Sequence, residues 1–398
     1  MNAYQKNVRL YYFYTVFANL LILGPIITLY YLARDLTYAH ILSLQAISAV
    51  TIVALEVPTG AVADLLGRKK SILLGAATMA FSIFLYGMGR SFFIFACAEF
   101  LFAVGASFKS GADTALLYDS LKRTNQESTF KDVISRGSYY ALLAQVPGSI
   151  ISSILFEWSI ALPLFISAAF VGISFLIAWQ FEEIEVYEKE ERPAYFHQIA
   201  KSAKTLATHP KIRSIVFFCM IYLLFSRAGF WMIQPYLKTV NFPIRYFGLL
   251  FAGFNLVAAF SSRLTPKYLI ASKGWSLIGL MGILLVSFLG LWQLQNWIGI
   301  AFLSLQQIAR GFYRPTTQKY INKHIPSQER ATVLSLQSML QNLTVALLFP
   351  FIGALMDRTD IFTMHLYLLV SLLACTLLLN LVLSRSLSNS QKSKARTP

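Results

Sequence analysis

The chain has 398 residues, of which 56% are hydrophobic and only 13% are charged. Because about a quarter of the residues in soluble domains are charged, this composition excludes an ordinary water-soluble protein. The formal net charge of +16 would suit a nucleic-acid binder, but the basic residues are concentrated in short loops between apolar stretches. That distribution is typical of topology signals in a membrane protein, so nucleic acid is not expected as a partner.

Twelve apolar stretches of about 20 residues follow one another, each long enough to cross a hydrocarbon core of about 30 Å as a helix. The first is interpreted as a retained span and not as a signal peptide, because its apolar run continues to Ala33 without an A-x-A cleavage site. The sequence therefore predicts an all-α polytopic membrane protein with twelve transmembrane helices. The predicted spans are residues 10–33, 41–63, 71–89, 92–116, 134–156, 159–181, 213–237, 246–264, 275–294, 297–316, 331–350 and 362–383.

The distribution of lysine and arginine predicts the orientation of these spans. An even number of spans puts both termini on one side of the membrane, and the loops on that side hold most of the cations. The positive-inside rule identifies this side as the cytoplasm. The opposite loops hold only Arg34, Arg90, Lys238, Arg245 and Arg358.

The longest polar segment separates two halves of six spans each. It begins with six glutamates between Glu182 and Glu191, and from Phe196 to Leu206 its apolar residues recur every three or four positions. This spacing fits a short helix on the membrane surface, and a plain solvated linker is the alternative. The predicted domains are an N-terminal bundle at 1–181, a cytoplasmic linker at 182–211, a C-terminal bundle at 212–384 and a basic cytoplasmic tail at 385–398.

The loop after span two reads Gly60-Ala-Val-Ala-Asp64-Leu-Leu-Gly67-Arg68-Lys69-Lys70. Its glycines permit a close helix approach and a tight turn. Asp64 can accept hydrogen bonds from Arg68 or face the positive N-terminus of a neighbouring helix. These groups would form a latch that breaks and re-forms. A positively charged hairpin with no further role is the alternative interpretation.

This loop fits the pattern G-x-x-x-D-x-x-G-R-[KR], and here the sequence resembles the major facilitator superfamily, whose signature loop lies between helices two and three. The wider segments, Glu56 to Gly60 and Ser110 to Asp119, look like a bacterial branch of drug and metabolite exporters. The resemblance covers nearly the whole chain and implies two six-helix bundles with alternating access in a bacterial inner membrane. It also implies a cytoplasmic gate formed by Gly60, Asp64, Gly67, Arg68, Lys69 and Asp119.

Glu99 lies near the middle of span four, where an ionisable group is costly unless it faces a cavity or a partner. Burial favours the neutral carboxylic acid, so Glu99 is the first candidate for proton coupling, and a static ion pair with another helix is the alternative. Glu56 is a second candidate, although a structural role beside Pro58 is favoured for it. Asp113 is a third, and its spacing from Lys109 predicts partial mutual neutralisation.

The resemblance implies that spans one, four, seven and ten line a central cavity. On span seven, Arg227, Trp231 and Gln234 are spaced by four and three residues, which predicts one shared helix face. Such a face suits a small organic solute with an anionic group. In the alternative, Trp231 belongs to an interfacial aromatic belt and Arg227 pairs with a carboxylate. The predicted cavity residues are Asn19, Lys109, Arg227, Trp231, Gln234, Gln306 and Arg310.

Other chemistry finds no support in the sequence. The five histidines lie at span ends or in loops without metal-ligand spacing, and the three cysteines are isolated in apolar segments. A phosphate-binding G-x-x-x-x-G-K-[ST] motif is absent from the sequence. We therefore expect neither an enzyme nor a bound metal or cofactor.

Taken together, these patterns predict a secondary active transporter that moves a small organic solute by proton-coupled efflux. Its expected partners are the lipid bilayer, the solute and protons, and a monomer is compatible with the sequence. Because buried cations outnumber buried acids, proton-coupled uptake of an organic anion, such as a carboxylate siderophore, is an alternative. A membrane receptor or scaffold built on a transporter fold is another.

Overall fold

The computed structural model describes residues 3–184, 210–268, 275–325 and 327–394, and the regular elements in these ranges are helical. Ten helical segments there are long and apolar enough to cross a membrane, by length and composition. The chain is thus an all-helical membrane protein. The first half contains α1 (Ala3–Asn19), α2 (Ile27–Leu32), α3 (Tyr38–Leu66), α4 (Arg68–Met88), α5 (Phe92–Lys109), α6 (Ala112–Arg123), α7 (Phe130–Trp158) and α8 (Leu162–Trp179). The second half contains α9 (Pro210–Thr239), α10 (Phe247–Tyr268), α11 (Trp275–Gln293), α12 (Ile300–His324), α13 (Ser327–Met356) and α14 (Ile361–Lys394).

The first predicted span is interrupted, which corrects the expectation of one continuous helix over residues 10–33. Helix α1 ends at Asn19 and α2 begins at Ile27. Between them lies Pro25, whose nitrogen has no hydrogen to donate. The amides of Ile26 and Ile27 instead close a turn on the carbonyl oxygen of Leu23, at 3.0 and 2.9 Å. Each piece is consequently shorter than a spanning helix.

The fourth predicted span is also broken, although the sequence predicted one helix over residues 92–116. Helix α5 ends at Lys109, and α6 begins at Ala112 and continues to Arg123. Gly111 sits at the break with φ of +81°, a left-handed conformation that glycine adopts without steric cost. The break therefore divides span four into two helices.

By internal contacts the chain divides into two compact units. Unit 1 contains Met1–Glu191, Pro243–Gly253 and Phe349–Gly353. Within it, α4 packs against α5 and α8. Two glycines permit the first of these contacts, because a Cβ atom at Gly75 of α4 would lie 2.8 Å from the carbonyl oxygen of Gly105 in α5.

Unit 2 contains Arg192–Phe242, Phe254–Leu348 and Ala354–Pro398. Within it, α11 packs against α12 and α14, and α9 packs against the same two helices. Helix α12 is less apolar than its neighbours, and it is absent from the ten described helices that satisfy the length and composition criteria. Two of its polar side chains, Gln306 and Gln307, are buried by contacts inside the unit.

Several predicted features fall outside the described residues. The surface helix proposed between Phe196 and Leu206 lies in the undescribed range 185–209, as does most of the linker. Helix α14 runs into the predicted tail as far as Lys394. The domain boundaries at 181, 211 and 384 stay predictions.

Candidate functional site

Arg68 joins the start of α4 to α6 in unit 1. Its guanidinium forms an ion pair with the Asp119 carboxylate and donates a hydrogen bond of 2.7 Å to the carbonyl oxygen of Ala115. Both charged side chains are partly buried, with 21% and 16% of their surface exposed, so water screens this pair less than a surface pair. The side chains of Glu56 and Asp64 lie outside the described residues, so the latch between Asp64 and Arg68 and the role of Glu56 stay predictions.

Glu183, just after span six, is a further contact of this loop. Its two carboxylate oxygens accept hydrogen bonds from the backbone amides of Arg68 and Lys69, each at 3.0 Å. These amides open α4 and have no partner inside the helix, so the carboxylate caps its positive end. Gly67 has φ of +97°, and a Cβ atom there would lie 2.5 Å from the Glu183 carboxylate. Glycine is the residue that fits here. The sequence interpretation counted Glu183 only as part of an acidic run.

Glu99 lies in a pocket of hydroxyl groups inside unit 1. The side chain is 6% exposed and accepts hydrogen bonds from the hydroxyls of Tyr86 on α4 and Ser48 on α3. The rings of Tyr31 and Phe95 pack around Tyr86. Within the described residues, no ion pair reaches this carboxylate. Its polar partners are hydroxyls.

A second group of predicted residues meets beside the break in span four. The Lys109 ammonium lies 3.5 Å from the Asn19 side-chain oxygen and 5.8 Å from the centre of the Tyr14 ring. Asp113, on the far side of the break, is the charged group that interacts with Lys109 electrostatically. Gln145 of α7, which the sequence interpretation missed, donates a 2.9 Å hydrogen bond to the Asn19 carbonyl. Spans one, four and five thus converge on this group.

The two arginines of unit 2 are held by asparagines. Arg227 donates to the side-chain oxygen of Asn342 on α13 at 3.5 Å, and Arg310 donates to that of Asn255 on α10 at 2.7 Å. Both arginine side chains are exposed, although Ala228 after Arg227 and Ala309 before Arg310 are buried. These arginines take part in no ion pair among the described residues. No carboxylate of the described residues therefore pairs with Arg227, as the alternative interpretation of span seven would require.

Two stacked tyrosines connect α9, which carries Arg227, to α12, which carries Arg310. The rings of Tyr222 on α9 and Tyr313 on α12 are parallel within 5°, with centroids 4.4 Å apart. Arg227 on α9 lies within electrostatic range of Tyr313, and Arg310 on α12 lies within range of Tyr222. The four side chains therefore form one interleaved cluster across α9 and α12.

Two buried glutamines, Gln306 and Gln307, lie on α12 in the same unit. Gln306 and Gln307 are 3% and 5% exposed, and in each one amide atom has no hydrogen-bond partner. Gln306 approaches α9 at Gly229, where a Cβ atom would lie 2.7 Å from its side-chain oxygen. Trp231 and Gln234 are buried inside the unit. The predicted face of span seven therefore runs from an exposed Arg227 to a buried Gln234.

Most of the residues that the sequence interpretation missed are uncharged in water at neutral pH. Asn255, Asn342, Gln145 and the paired tyrosines are polar side chains at span depth, and the search for the cavity started from charged residues and the polar neighbours on their own helix faces. A count of every amide in the apolar runs would have found the two asparagines. In the described part of the chain, no group of three His, Cys, Asp or Glu residues is arranged to hold a metal ion.

Comparison with known proteins fits this architecture. Residues 216–398 match the Major Facilitator Superfamily profile. Over 337 residues the chain is 24% identical to a Bacillus subtilis (strain 168) protein named "Uncharacterized MFS-type transporter YxaM", and the match covers 80% of both chains. The second half of the chain therefore matches the major facilitator superfamily, and the similarity to an MFS-type transporter extends over most of its length. These comparisons indicate a membrane transporter of a small solute and not an enzyme.

Solved structures share its fold over nearly the whole length. The nucleoside transporter NupG superposes with a TM-score of 0.78 at 14% identity, covering 96% of this chain and 99% of NupG. A bacterial homologue of the human lysosomal transporter Spinster gives 0.68 at 14% identity, with coverages of 96% and 95%. At these identities the likeness shows the fold alone.

Proposed function

We propose that this protein exports a small organic solute in exchange for protons. The observation that carries the proposal is the hydroxyl pocket around Glu99. A hydroxyl both donates and accepts hydrogen bonds, so Tyr86 and Ser48 serve the ionised carboxylate as donors and the neutral acid as acceptors. Glu99 therefore keeps polar partners in both protonation states, as a proton-carrying group requires.

Span four provides a route from this acid to the gate. Glu99 lies on α5, whereas Asp119, the partner of Arg68, lies on α6. The break at Gly111 lets the two helices change their relative direction without breaking a continuous ladder of hydrogen bonds. Protonation of Glu99 would then bias the Arg68–Asp119 pair between closed and open states.

The direction of transport is proposed from the sequence. The lysine and arginine distribution supports cytoplasmic termini, and the resemblance to an exporter-like branch supports efflux across a bacterial inner membrane. Uptake of an organic anion is the second candidate, and the amide-bound arginines of unit 2 favour it. The substrates of proteins with the same fold are not carried over.

The test is solute flux in proteoliposomes with an imposed pH gradient, followed by an entrapped pH-sensitive dye. Amphipathic cations, neutral nucleosides and aromatic carboxylates are offered in turn. We expect flux that stops when a protonophore removes the gradient. Glu99→Gln, which fixes the neutral form, should lower gradient-driven flux at least about tenfold, as loss of a proton-transferring group commonly does.

Glu157→Gln is the matched control, because Glu157 is a half-exposed carboxylate at the end of α7 that lies 3.9 Å from Arg245. It should leave the flux unchanged. Flux that ignores the gradient would contradict proton coupling. A folded protein that moves none of the solutes, and is indifferent to Glu99→Gln, would favour the receptor or scaffold alternative.

A further inference from the structure

Among the described residues, no carboxylate forms an ion pair with Arg227 or Arg310 of unit 2. An amide oxygen satisfies one guanidinium N–H without carrying a negative charge, so Asn342 and Asn255 hold Arg227 and Arg310 in place but leave both positive charges intact. A carboxylate at either position would have formed an internal ion pair. The chain instead supplies neutral partners at both.

The exposure of these arginines indicates a wet surface. Both lie well inside spans and are flanked by buried residues, Ala228 beside Arg227 and Ala309 beside Arg310. A guanidinium directed at hydrocarbon costs several kcal/mol, so an arginine exposed at this depth faces water or a polar ligand. The two charges therefore lie on a solvated side of unit 2.

Further hydrogen-bonding capacity lies in the same cluster. Gln306 and Gln307 are buried, and each has one amide atom without a partner, which costs free energy unless a ligand or water satisfies it. Gly229 brings Gln306 against α9 two residues beyond Arg227. A polar group on a bound solute would satisfy the Gln306 amide, which lies on the same helix as Arg310 and against α9.

We propose that this cluster recognises an organic anion, with Arg227 and Arg310 binding its acidic groups and Gln306 binding a neighbouring polar group. The proposal rests on the proposed transport function and names the class of its solute. Two separated, uncompensated cations favour a dianion over a monoanion and disfavour cations. Asn255 and Asn342 are positioning residues, since they orient the arginines without neutralising them.

The experiment measures binding to the full-length chain in detergent, without any pH gradient. Thermal unfolding is recorded at fixed ionic strength with four probes of similar size, namely phthalate, benzoate, benzamide and benzylammonium. A ligand that binds only the folded state raises the unfolding midpoint. We expect phthalate to raise it more than benzoate, and the neutral and cationic probes to leave it unchanged. Equal shifts from benzamide or benzylammonium, or no shift from either anion, would overturn the proposal.

Substitution of the asparagines isolates the role of charge. Asn255→Asp places a carboxylate against Arg310 and neutralises it. The affinity for anions should then fall at least about tenfold, which corresponds to the free energy of one lost charge-assisted hydrogen bond. Asn255→Leu removes the positioning amide but leaves the arginine charged, so the affinity should fall by less than in Asn255→Asp. Equal losses in the two variants would refute the charge argument. Asn342→Asp and Asn342→Leu repeat the comparison at Arg227, in case either Asn255 variant fails to fold.

These outcomes are separable from those of the flux experiment. A chain that binds phthalate but moves no solute in response to protons would refute proton coupling and leave the anion site standing. A chain with proton-driven flux of benzylammonium or benzamide would support the transport proposal and refute the anion site.

Discussion

Glu183 accepts hydrogen bonds from two consecutive backbone amides, and this contact fixes the start of the helix that presents Arg68 to Asp119. Glu183→Gln keeps the size but removes the charge, and it turns an amide N–H₂ towards donors. We expect the free energy of unfolding to fall by about 1 kcal/mol, as for a lost charged helix cap.

Glu182→Gln is the control for that measurement. Glu182 is the preceding residue, half exposed, and its carboxylate lies 3.9 Å from Lys6. Such surface pairs contribute little, so this variant should change the free energy of unfolding by less than about 0.5 kcal/mol. Denaturation of the two purified variants side by side checks the difference, and equal values would contradict the cap.

At the residue scale, the sequence located charges but not their partners. Hydropathy alone places Glu99, Arg227 and Arg310 inside apolar runs, since an ionisable residue stands out there. That Glu99 meets tyrosine and serine hydroxyls, or that the arginines meet asparagines, depends on contacts between helices far apart in the chain. No local pattern encodes such contacts.

The break between α5 and α6 depends on a single backbone conformation. Gly111 has φ of +81°, and a Cβ atom there would meet nothing within 4 Å, so a side chain is disfavoured only by the dihedral angle. Gly111→Ala should therefore lower the free energy of unfolding by about 1 kcal/mol, the cost of a left-handed alanine.

Gly172→Ala provides the comparison, because Gly172 lies within α8 and also has open space around its Cβ position. Alanine is the better helix former, so this change should be neutral or stabilising by up to about 1 kcal/mol. Thermal unfolding of both variants tests the assignment. A stabilising effect of Gly111→Ala would mean that span four prefers to be continuous.

Elements as a whole were easier to predict than their interruptions. Runs of about 20 apolar residues fix the existence of a helix through the cost of unpaired backbone groups in lipid. The breaks after Asn19 and Lys109 leave hydropathy unchanged, and the cues there, Gly24-Pro25 and Gly111, are tolerated inside many spans. The prolines at positions 58, 147, 235, 315 and 350 all lie within helices.

At the scale of the whole molecule, the orientation of the chain in the membrane is a prediction that an experiment can check. An even number of spans and the positive-inside rule place both ends of the chain in the cytoplasm. Single cysteines introduced at Asn2 and Ser390 should both resist a membrane-impermeant maleimide in intact cells and both react after permeabilisation. Labelling of one end alone would require an odd number of crossings.

The resemblance to a family and the helical architecture could be predicted from the sequence. The helices follow from apolar stretches that repeat along the chain, and the resemblance follows from one motif with fixed spacing. Composition excluded a soluble protein, and the loop from Gly60 to Lys70 carried the superfamily resemblance. The chemical class of the solute was less accessible, because it depends on which charges stay unpaired after packing.

Helix α12 has a consequence for biogenesis. It does not meet the length and hydropathy criteria that ten other described helices meet, and it packs against α9 and α11. Its buried glutamines depend on those neighbours for cover, so we expect membrane integration of the second half to be cooperative.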